Sequence, residues 1–273
     1  PKNESNQTLD FTQIISYIST HTSVKGRKTN MIPKIIHYCW FGESKIPPLI
    51  QKCIKSWKKH LPDYEFKLWN EENFNVNSTL WTQHAYELKK YAFVSDYVRL
   101  KALYEYGGIY LDTDIKILKS FNPLLKNEGF IGFEDVKGNV IASCVIAAKQ
   151  LHPFIQECMQ YYNQDFTIEI INKNEANVID ITQRLIKKGM QLGGGEQVIN
   201  EMHIYPREYF CPMDFWGNWN KTANTYCIHL FNGSWLPDSE MKKLNKRKTW
   251  YFKLCKWIYV HIGLQKLKSS LKR

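Results

Sequence analysis

The segment Tyr106-Gly107-Gly108-Ile109-Tyr110-Leu111-Asp112-Thr113-Asp114-Ile115 joins a glycine pair, a short apolar run and two carboxylates spaced i, i+2. Gly107-Gly108 closes a helix. Ile109–Leu111 reads as a core strand, and residues two apart in a strand share a face. At a strand end, Asp112 and Asp114 can converge on one cation. Hard divalent ions such as Mg²⁺ and Mn²⁺ favour such ligands, keep waters, and bind substrate phosphate oxygens. Two readings stand at this point, a metal clamp for a diphosphate and an Asp-rich turn after a core strand. A bare Asp-x-Asp does not choose between them.

The surrounding chain alternates. Strands are expected at Lys34–Trp40, Tyr64–Trp69, Ile109–Leu111, Phe130–Glu134, Val140–Ala147 and Tyr226–Phe231. Helices are expected at Pro48–His60, His84–Tyr106, Pro153–Tyr162, Ala176–Lys188 and Glu196–Met202. Pro48 suits a first helical turn, and Pro62 lies just past the end of that helix. Such alternation predicts an α/β sheet with ligands at the carboxyl ends of its strands.

The 273 residues suffice for a sizeable core, and the 44% hydrophobic content describes a folded chain. The seven cysteines are odd in number and none lies in a C-x-x-C pair. That argues against a disulfide framework or a cysteine zinc site, and for a reducing compartment. No signal-peptide pattern or apolar run of membrane-spanning length is seen, so the expected location is cytoplasmic. The net charge of +11 is uneven: 11 of the 37 basic residues fall in 241–273, which holds no acid, leaving residues 1–240 with 26 of each sign. The body is therefore neutral, which argues against a nucleic-acid partner. Three segments follow: an N-terminal extension (1–30) with one amphipathic patch, a catalytic domain (31–240), and a basic tail (241–273).

Three further groups carry candidate chemistry. Asp96 and Arg99, i and i+3 on a helix, sit among Val94, Val98 and Leu103, and charges beside a core stripe need partners. They form an intrahelical ion pair or hold sugar hydroxyls and phosphate. Trp40 ends the first strand, where it fills core or stacks on a flat base. His229 leaves a late strand ahead of Asn232-Gly233-Ser234-Trp235 and is a structural histidine or a third metal ligand.

The order strand–Trp, Ser-Asp-x-x-Arg, Tyr-Gly-Gly-x-Tyr-x-Asp-x-Asp and His…Gly-Ser-Trp resembles glycosyltransferase family 32, over about residues 31–236. The resemblance is dense at 33–42 and 92–118 and thin between 120 and 225. It implies a GT-A fold, a Rossmann-like mixed sheet flanked by helices, with a nucleotide-sugar donor and Mn²⁺ or Mg²⁺. By position, Trp40 would stack on the donor base, Asp96 and Arg99 would hold the donor sugar, and Tyr110 would lie by the ribose or sugar. Asp112 would contact ribose, sugar or metal through water, and Asp114 would ligate the metal directly. His229 would be a further ligand, and Ser234 and Trp235 would close over the diphosphate. The chain departs from relatives at Asn139–Ser143 and Gly193–Glu196, which leaves the acceptor side least defined. Retention of anomeric configuration is implied. Glu134, Asp135 and Glu196 are nucleophile candidates, and a same-face mechanism, with the leaving phosphate accepting the acceptor's proton, asks less of the protein.

The expected reaction is hexose transfer from a UDP-sugar, UDP-galactose or UDP-glucose, to a saccharide, polyprenyl-diphosphate-linked, in capsular or other surface polysaccharide synthesis. The tail interleaves Trp250, Leu254, Trp257, Ile258 and Ile262 with lysines near helical spacing. A cationic amphipathic helix of this kind suits an anionic membrane surface, so the expectation is a peripheral enzyme on the inner face of the cell membrane. Two other classes compete. A haloacid-dehalogenase-type phosphohydrolase also places Asp-x-Asp after an apolar strand, but it needs a later Gly-Asp acidic cluster, and none follows Asp114. A non-catalytic basic module for membrane or nucleic acid conflicts with the neutral body.

Overall fold

In the computed structural model, residues 31–166, 177–214 and 219–232 are described. The extension (1–30), the tail (241–273) and the Ser234–Trp235 pair lie outside the described residues. The elements run β1 (Ile35–Cys39), α1 (Pro48–His60), β2 (Glu65–Trp69), α2 (Leu80–Glu87), α3 (Tyr91–Tyr106), β3 (Gly108–Leu111) and β4 (Ile115–Ile117). They continue with β5 (Gly129–Phe133), β6 (Ile141–Ala148), α4 (Pro153–Met159), α5 (Asn177–Lys187), β7 (Gln197–Ile199), β8 (Met202–Tyr205) and β9 (Cys227–His229).

A seven-stranded mixed sheet has the order β2-β1-β3-β6-β5-β8-β7, and β4 and β9 form a separate antiparallel pair. This is the Rossmann-like mixed sheet flanked by helices that a GT-A fold requires. All four residues of β3 are buried. Ile109 and Leu111 face the core that contains Trp57 of α1, and Tyr110 faces the one built by Val94, Val98 and Leu103 of α3. A strand covered on both faces reads as a continuous apolar run, which is why this one is visible in the sequence.

The glycine pair has a steric cause. Gly107 ends α3 with φ 65°, its N–H donating to the Leu103 carbonyl. Gly108 has φ 110°, and a Cβ there would lie 2.6 Å from the Ile35 carbonyl oxygen of the parallel neighbour β1. Only glycine lets the chain turn and enter the sheet this close.

Two expectations are corrected. The helix expected at His84–Tyr106 is two helices, broken at Leu88–Lys90. Lys89 adopts a left-handed φ of 56°, the Lys90 N–H returns to the Ala85 carbonyl and the Lys89 N–H to the Tyr86 carbonyl, a Schellman helix end without glycine. Trp81 of α2 then donates to the Phe93 carbonyl of α3 at 2.9 Å, fixing the two helices at an angle. Glu196–Met202 is not a helix but the turn of the β7–β8 hairpin. Ile199 pairs with Met202, and Asn200 and Glu201 both have positive φ (47° and 66°), as a two-residue type I′ turn requires. Strand β4 was not anticipated.

His37 joins three elements from inside β1. Its Nδ1 accepts from Trp69 Nε1 of β2 at 3.1 Å, and its Nε2 donates to the Gly107 carbonyl at 2.8 Å. This arrangement needs the neutral ring, and burial pulls its pKa down to about 4. A histidine depressed in the folded state adds stability above its unfolded pKa of 6.5 and loses it as pH falls towards 4, a total of roughly 3 kcal/mol. The urea midpoint should therefore drop across that window, and the drop should shrink in His37→Gln. Parallel pH series on both proteins separate this histidine from the carboxylates they share.

Candidate functional site

The carboxyl ends of β1, β3 and β5 lie on one edge of the sheet, because β1 and β3 are parallel and β3 and β5 both run antiparallel to β6. Trp40, Asp112 and Glu134 are the residues that follow those strands. A cavity of about 550 Å³ opens there, lined by Trp40, Asp96, Arg99, Tyr110, Asp112, Asp114, Glu134 and His229 among others. Of the candidates within the described residues, only Asp135, which lines a second cleft, and Glu196, which pairs with His203 at 2.7 Å, stand outside this space.

Arg99 is the centre of the charge network. It is buried, yet Nη2 meets Asp96 at 2.7 Å, and Nη1 stands 3.3 Å from Asp112. Nη1 also donates to the Ser143 carbonyl at 2.9 Å, and the guanidinium lies 4.5 Å from the centre of the Tyr110 ring. Burial opposes its charge, but Tyr110, Asp112 and Asp96 outweigh that and hold it protonated. For Asp96, burial dominates over the pull of Arg99 and raises the carboxyl to about 6. Tyr110 donates its hydroxyl to Asp112 Oδ1 at 3.0 Å.

The metal candidates converge by strand pairing. Ile115 of β4 pairs with His229 of β9, which sets the histidine beside Asp114. His229 Nε2 lies 3.4 Å from Asp114 Oδ1. One ligand atom each from Asp112, Asp114 and His229 fall within 4.8 Å of one another. Burial pushes the Asp114 carboxyl up, but His229 and the Asn232 N–H bring it below the ordinary value. That N–H reaches Asp114 Oδ2 at 2.7 Å, and the turn delivering it holds Phe231 at φ 48°. Two carboxylates and an imidazole around a shared space fit an octahedral ion that keeps some water, as Mn²⁺ and Mg²⁺ do.

Some lining residues had no signal in the sequence. Asn177, at the start of α5, donates to Asp96 Oδ1 at 2.9 Å across 81 residues of chain. Ser143 holds Arg99, and at the break between α2 and α3 the exposed Lys89 and the half-buried Lys90 add positive charge to the cavity lining. A second cleft of about 330 Å³ lies beyond Glu134, walled by Asp135, Gly138, Gly193, Gly194, Trp219 and Asn220. A Cβ on Gly138 would lie 2.0 Å from the Gly194 nitrogen, so the two loops meet only through glycine.

The network sets a stability expectation. Arg99→Leu strands two carboxylates and a carbonyl in the interior, and breaking a buried pair by removing one partner costs about 3–5 kcal/mol. Urea unfolding of the variant should show a loss of that size. A loss no larger than a surface pair's would contradict the hub role.

Residues 47–131 match the family model described as "Glycosyltransferase sugar-binding region containing DXD motif". That range contains Asp96, Arg99, Tyr110, Asp112 and Asp114. Inositol phosphoceramide mannosyltransferase 1 of Schizosaccharomyces pombe is 29% identical over 56% of this chain and 49% of its own length. Inositol phosphoceramide mannosyltransferase 3 of the same yeast is 33% identical over 50% of this chain and 39% of its own. The chain thus spans about half the length of these relatives or less. A solved structure titled "PaToxG Glycosyltransferase" aligns with TM-score 0.43 and 21% identity, over 66% of this chain and 76% of that one, too slight a likeness to carry an argument. Its matched region, and the site that region builds, are thus similar to those of glycosyltransferases whose sugar-binding region contains the DXD motif.

Proposed function

We propose that the chain is a metal-dependent, retaining glycosyltransferase that moves a hexose from a nucleoside diphosphate sugar to a saccharide acceptor. One observation carries this reading. Asp112, Asp114 and His229 converge at the floor of a cavity that also holds Asp96 and Arg99. A divalent cation there would neutralise charge developing on the departing diphosphate. The chain's own residues do the positioning. Arg99 consumes its donors on Asp96, Asp112 and Ser143, so it fixes the carboxylates that face the sugar. Asp96, steadied by Asn177, offers an acceptor for donor-sugar hydroxyls. Trp40, tied to the Ser44 carbonyl through Nε1 at 2.7 Å, stands at the rim as a stacking surface for the base. Lys89 and Lys90 supply charge to the diphosphate. Ser234 and Trp235 are assigned the role of closing the cavity.

Glu134 is the carboxyl at the end of the cavity nearest the second cleft. Burial raises its pKa above the ordinary glutamate value. The acceptor approaches from this side, with the exposed Trp219 as a platform for a sugar ring. UDP-galactose or UDP-glucose is the donor of first choice. The names of the two yeast relatives support a mannosyl donor as the second reading. The acceptor is lipid-linked, the product a capsular or other surface polysaccharide, and the enzyme works at the inner face of the membrane, held by its basic tail. Among the described residues, no helix is long and apolar enough to cross a membrane.

Calorimetry with UDP, with and without Mn²⁺, tests the core of the reading. Binding should need the metal, and Asp114→Asn should abolish both metal-dependent binding and turnover while leaving the circular dichroism unchanged. Metal-independent UDP binding, or full activity in Asp114→Asn, would overturn it. Sugar release from a panel of UDP-hexoses and a mannosyl donor then names the sugar. For the tail, full-length protein should float with anionic liposomes and a chain ending at Asp238 should not; equal flotation would refute the anchor.

A further inference from the structure

Behind the His229 ring lies a second cluster. Cys144 on β6 and Cys211, just after the chain leaves β8, are 67 residues apart in sequence, yet their sulfurs stand 3.4 Å apart. Both are buried, Cys144 at 1% and Cys211 at 0% exposure. The two sulfurs and one nitrogen of His229 all lie within 4.8 Å of one another. Nε2 of that ring faces Asp114, and Nδ1 is buried with no hydrogen-bond partner. A buried ring nitrogen left in this state is costly, and the Cys144 and Cys211 sulfurs lie within 4.8 Å of a nitrogen of the same ring.

We propose that Cys144, Cys211 and His229 Nδ1 form a site for a soft divalent cation, zinc above all, set back to back with the Asp112–Asp114 site across one imidazole. Two thiolates and an imidazole are a zinc ligand set, with the fourth position left for water or a carboxylate. The geometry is close to what zinc needs. Sulfurs about 2.3 Å from a tetrahedral zinc stand roughly 3.8 Å apart, so the observed pair opens by a few tenths of an ångström. The ligands come from β6, the segment after β8, and β9, so the cluster is assembled by the tertiary fold. Cys144 and His229 both line the main cavity, which gives the ion a way in, and Glu134 lines the same cavity. Binding releases two thiol protons to solvent, and no redox step is involved.

The shared ring makes the two sites antagonistic. A neutral imidazole has one lone pair. With zinc on Nδ1, Nε2 carries the proton and becomes a donor to Asp114, so it no longer ligates a hard cation. Zinc would thus withdraw one ligand from the catalytic ion. This antagonism rests on the transferase reading of Asp112, Asp114 and His229; the thiolate site itself does not.

Cobalt(II) titrated into the reduced full-length protein reads the site directly. Sulfur-to-cobalt charge transfer should give a near-ultraviolet band, displaced by one equivalent of zinc. The band should vanish in Cys144→Ala and in Cys211→Ala, and remain in Cys158→Ala and Asp114→Asn. A wild type without the band, or a band that survives both cysteine variants, would overturn the proposal. Should those variants not fold, zinc X-ray absorption on the wild type decides: two sulfurs near 2.3 Å support the site, and a shell of only oxygen and nitrogen overturns it. Formation of a Cys144–Cys211 disulfide in air, together with no zinc binding by the reduced protein, also overturns it. Absence of Mn²⁺-dependent UDP binding in protein free of cobalt and zinc, with the cobalt band then appearing on titration, would sink the transferase reading alone.

Discussion

The buried guanidinium of Arg99 is the constraint on which the rest of the site depends. It draws together a helix carboxylate (Asp96), the carboxylate that follows β3 (Asp112) and the start of β6 (Ser143). Without a cation between them, Asp96 and Asp112 would repel at the cavity wall, where Asp96 is largely buried, and the ionised form of Asp96 would be disfavoured. The arginine neutralises Asp96 and part of Asp112. Asp114 is left to a different partner, His229. The cavity is thereby divided by which carboxylate each cation claims, Arg99 on one side and His229 on the other; in the proposed function these are the sugar half and the metal half.

That division explains why local signals and tertiary signals differ so much in legibility. The Gly-Gly stop, the β3 run and helix α1 with Pro48 at its start are local, and each is visible within a dozen residues. The break at Lys89 is not, because no glycine or proline marks it and the bond that fixes the helix pair, Trp81 to the Phe93 carbonyl, is tertiary. The β7–β8 hairpin resembles a helix in sequence because Glu196–Met202 mixes apolar and polar residues at a spacing that suits both; Asn200, tolerant of positive φ, is the cue to the turn.

The site shows the same contrast. Asp112 and Asp114 are readable from their own spacing, and Asp96 and Arg99 from charge beside an apolar stripe. His229 depended on resemblance, because its approach to Asp114 is set by the β4–β9 pairing, and β4 is only three residues long. Asn177 arrives from a helix 81 residues beyond the carboxylate it holds, and nothing in its own neighbourhood announces that contact. The cysteines make the point most sharply. Their sequence spacing argued against a metal site, whereas the sheet brings two of them to one imidazole.

The short β4–β9 pair is therefore more than an accessory to the main sheet. It sets His229 against Asp114 on one side and against the two thiols on the other. The turn after β9, with Phe231 in a left-handed conformation, then returns the Asn232 N–H to Asp114. A non-glycine residue held there costs of order 1–3 kcal/mol, and such strain persists only where the surroundings over-determine it. Here they do: Phe231 lies with its ring centre 4.0 Å from that of His229, so the strained residue also braces the ring. The strain and the strand pairing together hold one imidazole to a single orientation, and in the proposed function that orientation decides which ring nitrogen a cation can use.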